Sequence, residues 1–119
     1  MKILLQALLL CFVLTVQAGE LTFNGIKPAV IVDVRSPQEF VAGHIEGAVN
    51  IPLDQVATGI QSIRTLKKDS TILVYCRSGR RSAMAQDALE QQGYKRVIDG
   101  GGMDALAPRL KPCTAASAC

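Results

Sequence analysis

Seven consecutive residues bring a nucleophile, three cations and small side chains together: Cys76, Arg77, Ser78, Gly79, Arg80, Arg81 and Ser82. An apolar run at residues 71–75 precedes them, and a segment rich in helix formers follows. A cysteine between a buried strand and a helix start faces the helix's first N–H groups, which have no backbone acceptor. The helix macrodipole adds partial positive charge at the same end. Arg77, Arg80 and Arg81 add three formal charges. All three effects favour thiolate over thiol, and such settings lower a cysteine pKa from about 8.5 to roughly 3.5–7.5. Gly79 permits a tight turn, and Ser78 and Ser82 leave the loop uncrowded. Inward-pointing amides of such a loop form an anion nest. The pattern predicts a small anion with an electrophilic atom that Cys76 attacks. The plain alternative is a buried, inert cysteine, but a core needs neither three arginines nor a glycine turn beside it.

Spacing narrows the chemistry. Phosphatases with a cysteine nucleophile place an arginine after five intervening residues. Here that position is Ser82, and Arg81 follows after four. The loop is one residue tight for a tetrahedral phosphate. Asp33 and Arg35 end another apolar run and are read as a pair that fixes loops near the site. His44 is the chain's one histidine. A Cys–His catalytic pair is conceivable, and a hydrogen-bonded structural histidine is the favoured reading.

The loop needs elements to hold it. Residues 29–34 and 71–75 are β-branched apolar runs, read as strands buried on both faces, as in a parallel sheet. Residues 48–51 read as a shorter strand stopped by Pro52, residues 97–98 as a last one, and residues 21–23 as an edge strand. Ser36, Pro37 and Glu39 have the order of an N-cap, a first helical position and a capping-box partner, with Gly43 ending the helix. Residues 53–66 carry apolar side chains at helical spacing. Residues 79–92 read as a helix stopped by Gly93. Gly100, Gly101 and Gly102 read as a flexible turn, residues 103–106 as a helical turn, and everything from Pro108 onward as a loose tail. Strands alternate with helices throughout, which predicts an α/β fold: a central parallel sheet with helices on both faces. In such sheets ligands bind at the carboxyl ends of the strands, where Cys76 lies.

The chain has 119 residues and a net charge of +3, so one domain is expected. Met1 and Lys2 precede an almost unbroken apolar run over residues 3–16, followed by small side chains. This is the layout of a secretory signal peptide. The run is too short for a membrane span, which needs about 20 residues. The expected organisation is a signal peptide over 1–18, a domain over 19–110 and a tail over 111–119. Cleavage after Ala18 implies a periplasmic protein without membrane attachment. A charge so near neutral gives no reason to expect nucleic acid as a partner. No exposed apolar seam suggests assembly, so a monomer is expected. After removal of Cys11 with the signal, Cys76, Cys113 and Cys119 remain. Cys113 and Cys119 could close a small disulfide, leaving Cys76 as the unpaired thiol.

Several segments together resemble the single-domain rhodaneses, a sulfurtransferase family. They are Asp33-Val34-Arg35-Ser36 with Glu39-Phe40, the stretch from Gly43 to Pro52 (Gly-His-Ile-Glu-Gly-Ala-Val-Asn-Ile-Pro), the loop from Cys76 to Ser82, and Gly101-Gly102-Met103. The resemblance covers residues 29–108, and the size and export signal are similar to the small periplasmic, phage-shock type. Leu106 stands where many relatives carry Trp, and the tail cysteines lie outside the family pattern. The resemblance implies a rhodanese-like three-layer fold and a thiosulfate sulfurtransferase. Cys76 would be its nucleophile, and residues 77–82 would bind the donor. That donor would be a small sulfur-containing anion, and the acceptor cyanide or a thiol. The family's chemistry requires no metal and no organic cofactor. Three other classes compete on the same residues: a phosphatase or arsenate reductase, a non-catalytic binding module, and a thiol–disulfide exchanger in which Cys113 or Cys119 resolves Cys76.

Overall fold

The computed structural model describes residues 20–113. Ten strands and α-helices follow in chain order: β1 (Leu21–Phe23), β2 (Val30–Asp33), α1 (Pro37–Ala42), β3 (Val49–Asn50), α2 (Val56–Gly59), β4 (Thr71–Cys76), α3 (Arg80–Gln91), β5 (Arg96–Gly102), α4 (Met103–Leu106) and β6 (Leu110–Pro112). The central sheet has the order β3-β2-β4-β5, and every neighbouring pair is parallel. This is the predicted α/β architecture. The chain leaves β2 toward β3 on one side and returns to place β4 on the other. The carboxyl ends of β2 and β4 therefore flank a topological switch point, where open α/β sheets place ligands.

Alternation along the central strands divides the core into two layers. Val32, Ile72, Val74 and Cys76 point to one face and pack with Val56, Ile60, Ala85 and Leu89 of α2, α3 and the turns around them. Ile31, Leu73 and Tyr75 point to the other and pack with Phe23, Ile45, Leu106 and Leu110. The five consecutive residues from Ile72 to Cys76 therefore alternate between the two cores, and all five are buried.

Three expectations need correction. The helix predicted over 53–66 is broken into a 3₁₀ turn (Leu53–Gln55), α2 and a second 3₁₀ turn (Ile60–Ser62). Its apolar face is as predicted, with Val56 and Ile60 buried. The interruption has local causes: Gly59 is a weak helix former, and the hydroxyls of Thr58 and Ser62 donate back to the carbonyls of Gln55 (3.3 Å) and Gly59 (2.6 Å), which competes with regular winding. The three glycines from Gly100 are not a flexible turn but the end of β5. A side chain on Gly100 would meet Leu106 Cδ2 at 2.8 Å and the Val74 carbonyl at 3.0 Å, so the glycines let neighbouring layers close in.

The chain after Pro108 is not loose up to the last described residue. A 3₁₀ turn (Ala107–Arg109) leads into β6, which pairs antiparallel with β1. The strand crosses the expected boundary at residue 110. Leu110 is buried in the second core, and the Cys113 N–H donates to the Glu20 carbonyl at 2.7 Å. Sequence periodicity could not reveal this pair, because each strand has three residues and its partner lies some ninety positions away. Leu110→Ala is expected to lower unfolding free energy in urea by about 2–4 kcal/mol, as for other buried leucines. A change near zero would restore the loose-tail reading.

Candidate active site

β4 carries Cys76 to the switch point, and the chain then turns over it. Gly79 adopts φ +98° and opens α3 directly afterwards, a left-handed conformation that glycine adopts without steric penalty. This turn points the Gly79 N–H at Cys76 Sγ, 2.9 Å away. Ser82 lies one helical turn on and is fully buried. Its Oγ sits 3.4 Å from Sγ and donates to the Gly79 carbonyl at 3.0 Å. A hydroxyl has one proton to give. With Cys76 as a thiol, S–H points at Oγ. On ionisation the hydroxyl can rotate to donate to the sulfur instead.

Cys76 is fully buried. Burial is the largest single influence on its titration and pushes the pKa up. Hydrogen bonds from the Ser82 hydroxyl and from the N–H groups of Ser82, Gly79 and Ser78 together outweigh it, so the thiol lies below its usual value. Among the described residues Cys76 is the one free thiol. The direction is the one predicted, but the leading stabilisers are loop hydrogen bonds rather than arginine charge.

The three arginines divide into two kinds. Arg81 is half-buried and makes a bidentate pair with Glu39, at 2.7 and 3.0 Å. Arg77 and Arg80 are exposed and join no ion pair among the described residues. Glu39 closes the predicted capping box, taking the Ser36 N–H at 3.2 Å while Ser36 Oγ accepts from the Glu39 N–H. The Arg81 guanidinium is the main reason that Glu39 is lowered to about 2, with burial opposing and Ser36 assisting. One carboxylate thus fastens α1 to the start of α3. Sequence reading missed Glu39 as part of the site: its capping partner is three residues away and visible, whereas Arg81 is 42 residues away.

Asp33 and Arg35 form the expected pair. Arg35 Nη2 and Nε bond to Asp33 Oδ2 at 2.6 and 3.0 Å, and Nη2 also donates to the Gly43 carbonyl at 2.6 Å. Both side chains are buried, a setting in which a charge persists only when paired. Asn50 Nδ2 ties down the carbonyls of Asp33 and Arg35. His44 is structural in its contacts: Nδ1 lies 2.8 Å from the Phe40 carbonyl, and the ring stacks on Phe40 at 3.7 Å. The sulfur's hydrogen-bond partners are Ser82 and Gly79, so no Cys–His pair forms. Cys113 is disulfide-bonded, and Cys119 lies outside the described residues.

Two further residues shape the loop. Cys76 pairs with Gly102 across a register shift in β4, and a side chain on Gly102 would meet the Arg77 carbonyl at 2.6 Å. A cleft of about 200 Å³ opens beside the loop, lined by Arg35, Glu39, Ala42, Arg77, Met103 and Asp104. Ser82→Ala removes a hydrogen bond that offsets burial of the thiolate. Its alkylation-rate profile should therefore move to higher pH, because less thiolate is present at any given pH. An unmoved midpoint would show that the hydroxyl does not stabilise the thiolate.

The profile of the rhodanese-like domain matches residues 19–106. Thiosulfate sulfurtransferase PspE of Escherichia coli is 40% identical over 81 residues, covering 67% of this chain and 77% of that one. A sulfurtransferase of Allochromatium vinosum is 38% identical over 90 residues, covering 75% and 81%. A solved rhodanese with anions from E. coli superposes with a TM-score of 0.62 at 34% identity, covering 71% of this chain and 98% of that one. With the predicted sheet, the nucleophile at its switch point and these matches in agreement, the chain belongs to the rhodanese-like family.

Proposed function

We propose that this chain is a thiosulfate sulfurtransferase that moves sulfane sulfur to cyanide or a thiol through a persulfide on Cys76. The observation that carries the reading is the free Cys76 thiol, lowered in pKa and surrounded by loop donors. Relatives named thiosulfate sulfurtransferase support it. In the first half-reaction the Cys76 thiolate attacks the outer sulfur of thiosulfate. The donor's S–S bond breaks, and its electron pair leaves with sulfite. In the second, an acceptor takes the outer sulfur and Cys76 recovers the electron pair of the bond that breaks. The sulfur–sulfur exchange as written requires neither metal nor organic cofactor. N–H groups aimed at Sγ stabilise charge as it returns there.

Division of labour among the arginines follows from their partners. Arg81 is committed to Glu39 and braces the turn. Arg77, exposed beside the cleft, is the group to hold the donor's sulfonate end, with Arg80 adding attraction. The basic start and apolar run of residues 1–18, outside the described residues, support export to the periplasm.

Two half-reactions on one sulfur predict ping-pong kinetics. Thiocyanate formation, with thiosulfate varied at several fixed cyanide concentrations, should give parallel double-reciprocal lines. Cys76→Ser should lower the rate at least about a thousandfold, as loss of a covalent nucleophile does elsewhere. Converging lines, or turnover retained by the variant, would contradict the mechanism.

A further inference from the structure

The cleft beside Arg77 continues beyond it. Met103 and Asp104 also wall a second hollow of about 470 Å³ that extends over Ile45 to His44 and Glu46. The two hollows meet at Met103 and Asp104 and make a groove leading away from the reactive loop. Its charge is polarised. At the loop end, Arg35 is neutralised by Asp33 and Glu39 by Arg81, which leaves Arg77 as the cation without an ion-pair partner among the described residues. Asp104, where the two hollows meet, and Glu46, at the far end, are both exposed and join no ion pair among the described residues. Between them the surface is apolar, with Ile45 buried and Met103 half-buried.

Thiosulfate and cyanide do not explain this groove. The second hollow alone lies in the range of roughly 300–1,000 Å³ that holds drug-sized ligands, far more than either fills. A dianion is drawn to Arg77 but repelled by the two acids. The far end is therefore unsuited to the donor, and its chemistry fits a different molecule in the second half-reaction.

We propose that the groove seats the physiological acceptor, and that this acceptor is an extended cysteine-bearing peptide segment of a partner protein. The segment carries an apolar residue beside its thiol and a Lys or Arg further along. Charge complementarity carries the choice: the peptide's cation meets Glu46 and Asp104 while its thiol reaches the loop end. The peptide thiolate attacks the outer sulfur of the Cys76 persulfide, and a new S–S bond forms. The bond between Cys76 Sγ and that sulfur breaks, and its electron pair returns to Cys76. The peptide leaves as the persulfide, and no oxidant or reductant is consumed. This inference rests on the persulfide reading above and adds the acceptor to it.

The test separates the two half-reactions. The full chain is charged with thiosulfate, freed of excess donor and mixed with one acceptor at a time. Loss of the added sulfur is followed by intact mass. The acceptors, at equal thiolate concentration, are a cysteinyl peptide with Leu and Lys, the same peptide with Glu for Lys, and cysteamine. Each rate is expressed relative to that with cyanide. The Lys peptide should be at least roughly fivefold faster than the other two at low salt, as a pair of exposed charge contacts allows, and the gap should close as salt screens them. Glu46→Lys combined with Asp104→Lys should reverse the ranking of the two peptides. Equal peptide rates in the native chain, cysteamine as fast as the Lys peptide, or an unchanged ranking in the variant would overturn the proposal. A chain that accepts no sulfur from thiosulfate would instead overturn the persulfide reading beneath it, and the proposal with it.

Discussion

A buried sulfur that must carry negative charge is the constraint on which the rest of the structure depends. Removing an ion from water costs several kcal/mol even in a relaxed protein interior, and Cys76 has no exposed surface. Compensation comes from donors that the backbone supplies: the N–H groups of Ser78, Gly79 and Ser82, with the Ser82 hydroxyl. These groups converge on one atom only because the chain reverses immediately after β4 and enters α3 at Gly79. A thiolate in this position needs a strand to fix it, a left-handed glycine to turn the chain, and a helix start to aim the amides. All three occur within seven residues.

That short segment is in turn held from outside. Gly102 lies so close to the Arg77 carbonyl that β5 acts as the loop's floor. The Glu39–Arg81 pair ties the beginning of α3 to α1, and the Asp33–Arg35 pair ties the end of β2 to the chain leaving α1 through the Gly43 carbonyl. The two ion pairs differ in kind. Asp33 and Arg35 are buried, so losing either partner strands a charge in the core. Arg81 and Glu39 are partly solvated, and their contribution lies in geometry more than in raw energy. Of the positive charge near the sulfur, Arg35 and Arg81 thus hold the architecture, while Arg77 and Arg80 face solvent.

Much of this arrangement was legible in the sequence because it is local. β-branched runs announce β2 and β4, the Ser36-Pro37-Glu39 order announces the cap of α1, and Gly79 between Cys76 and a helix announces the turn. What was not legible depends on distant pairing. The three-residue strands β1 and β6 are each too short to show periodicity and stabilise one another only after the chain has folded. Glycine is ambiguous for a related reason: at Gly100 and Gly102 it serves close packing, yet the same residues in sequence read as flexibility. The second partner of Glu39 was hidden behind its first, and the groove at Met103 and Asp104 is assembled from segments some sixty residues apart.

The central claim is that Cys76 carries sulfur. It is tested most directly by the intact mass of the protein before thiosulfate, after it, and again after cyanide, with the adduct located by peptide mapping. The account predicts a gain of one sulfur on the peptide containing Cys76, lost on treatment with cyanide. No gain while Cys76 remains open to alkylation, or a gain located on another residue, would contradict it.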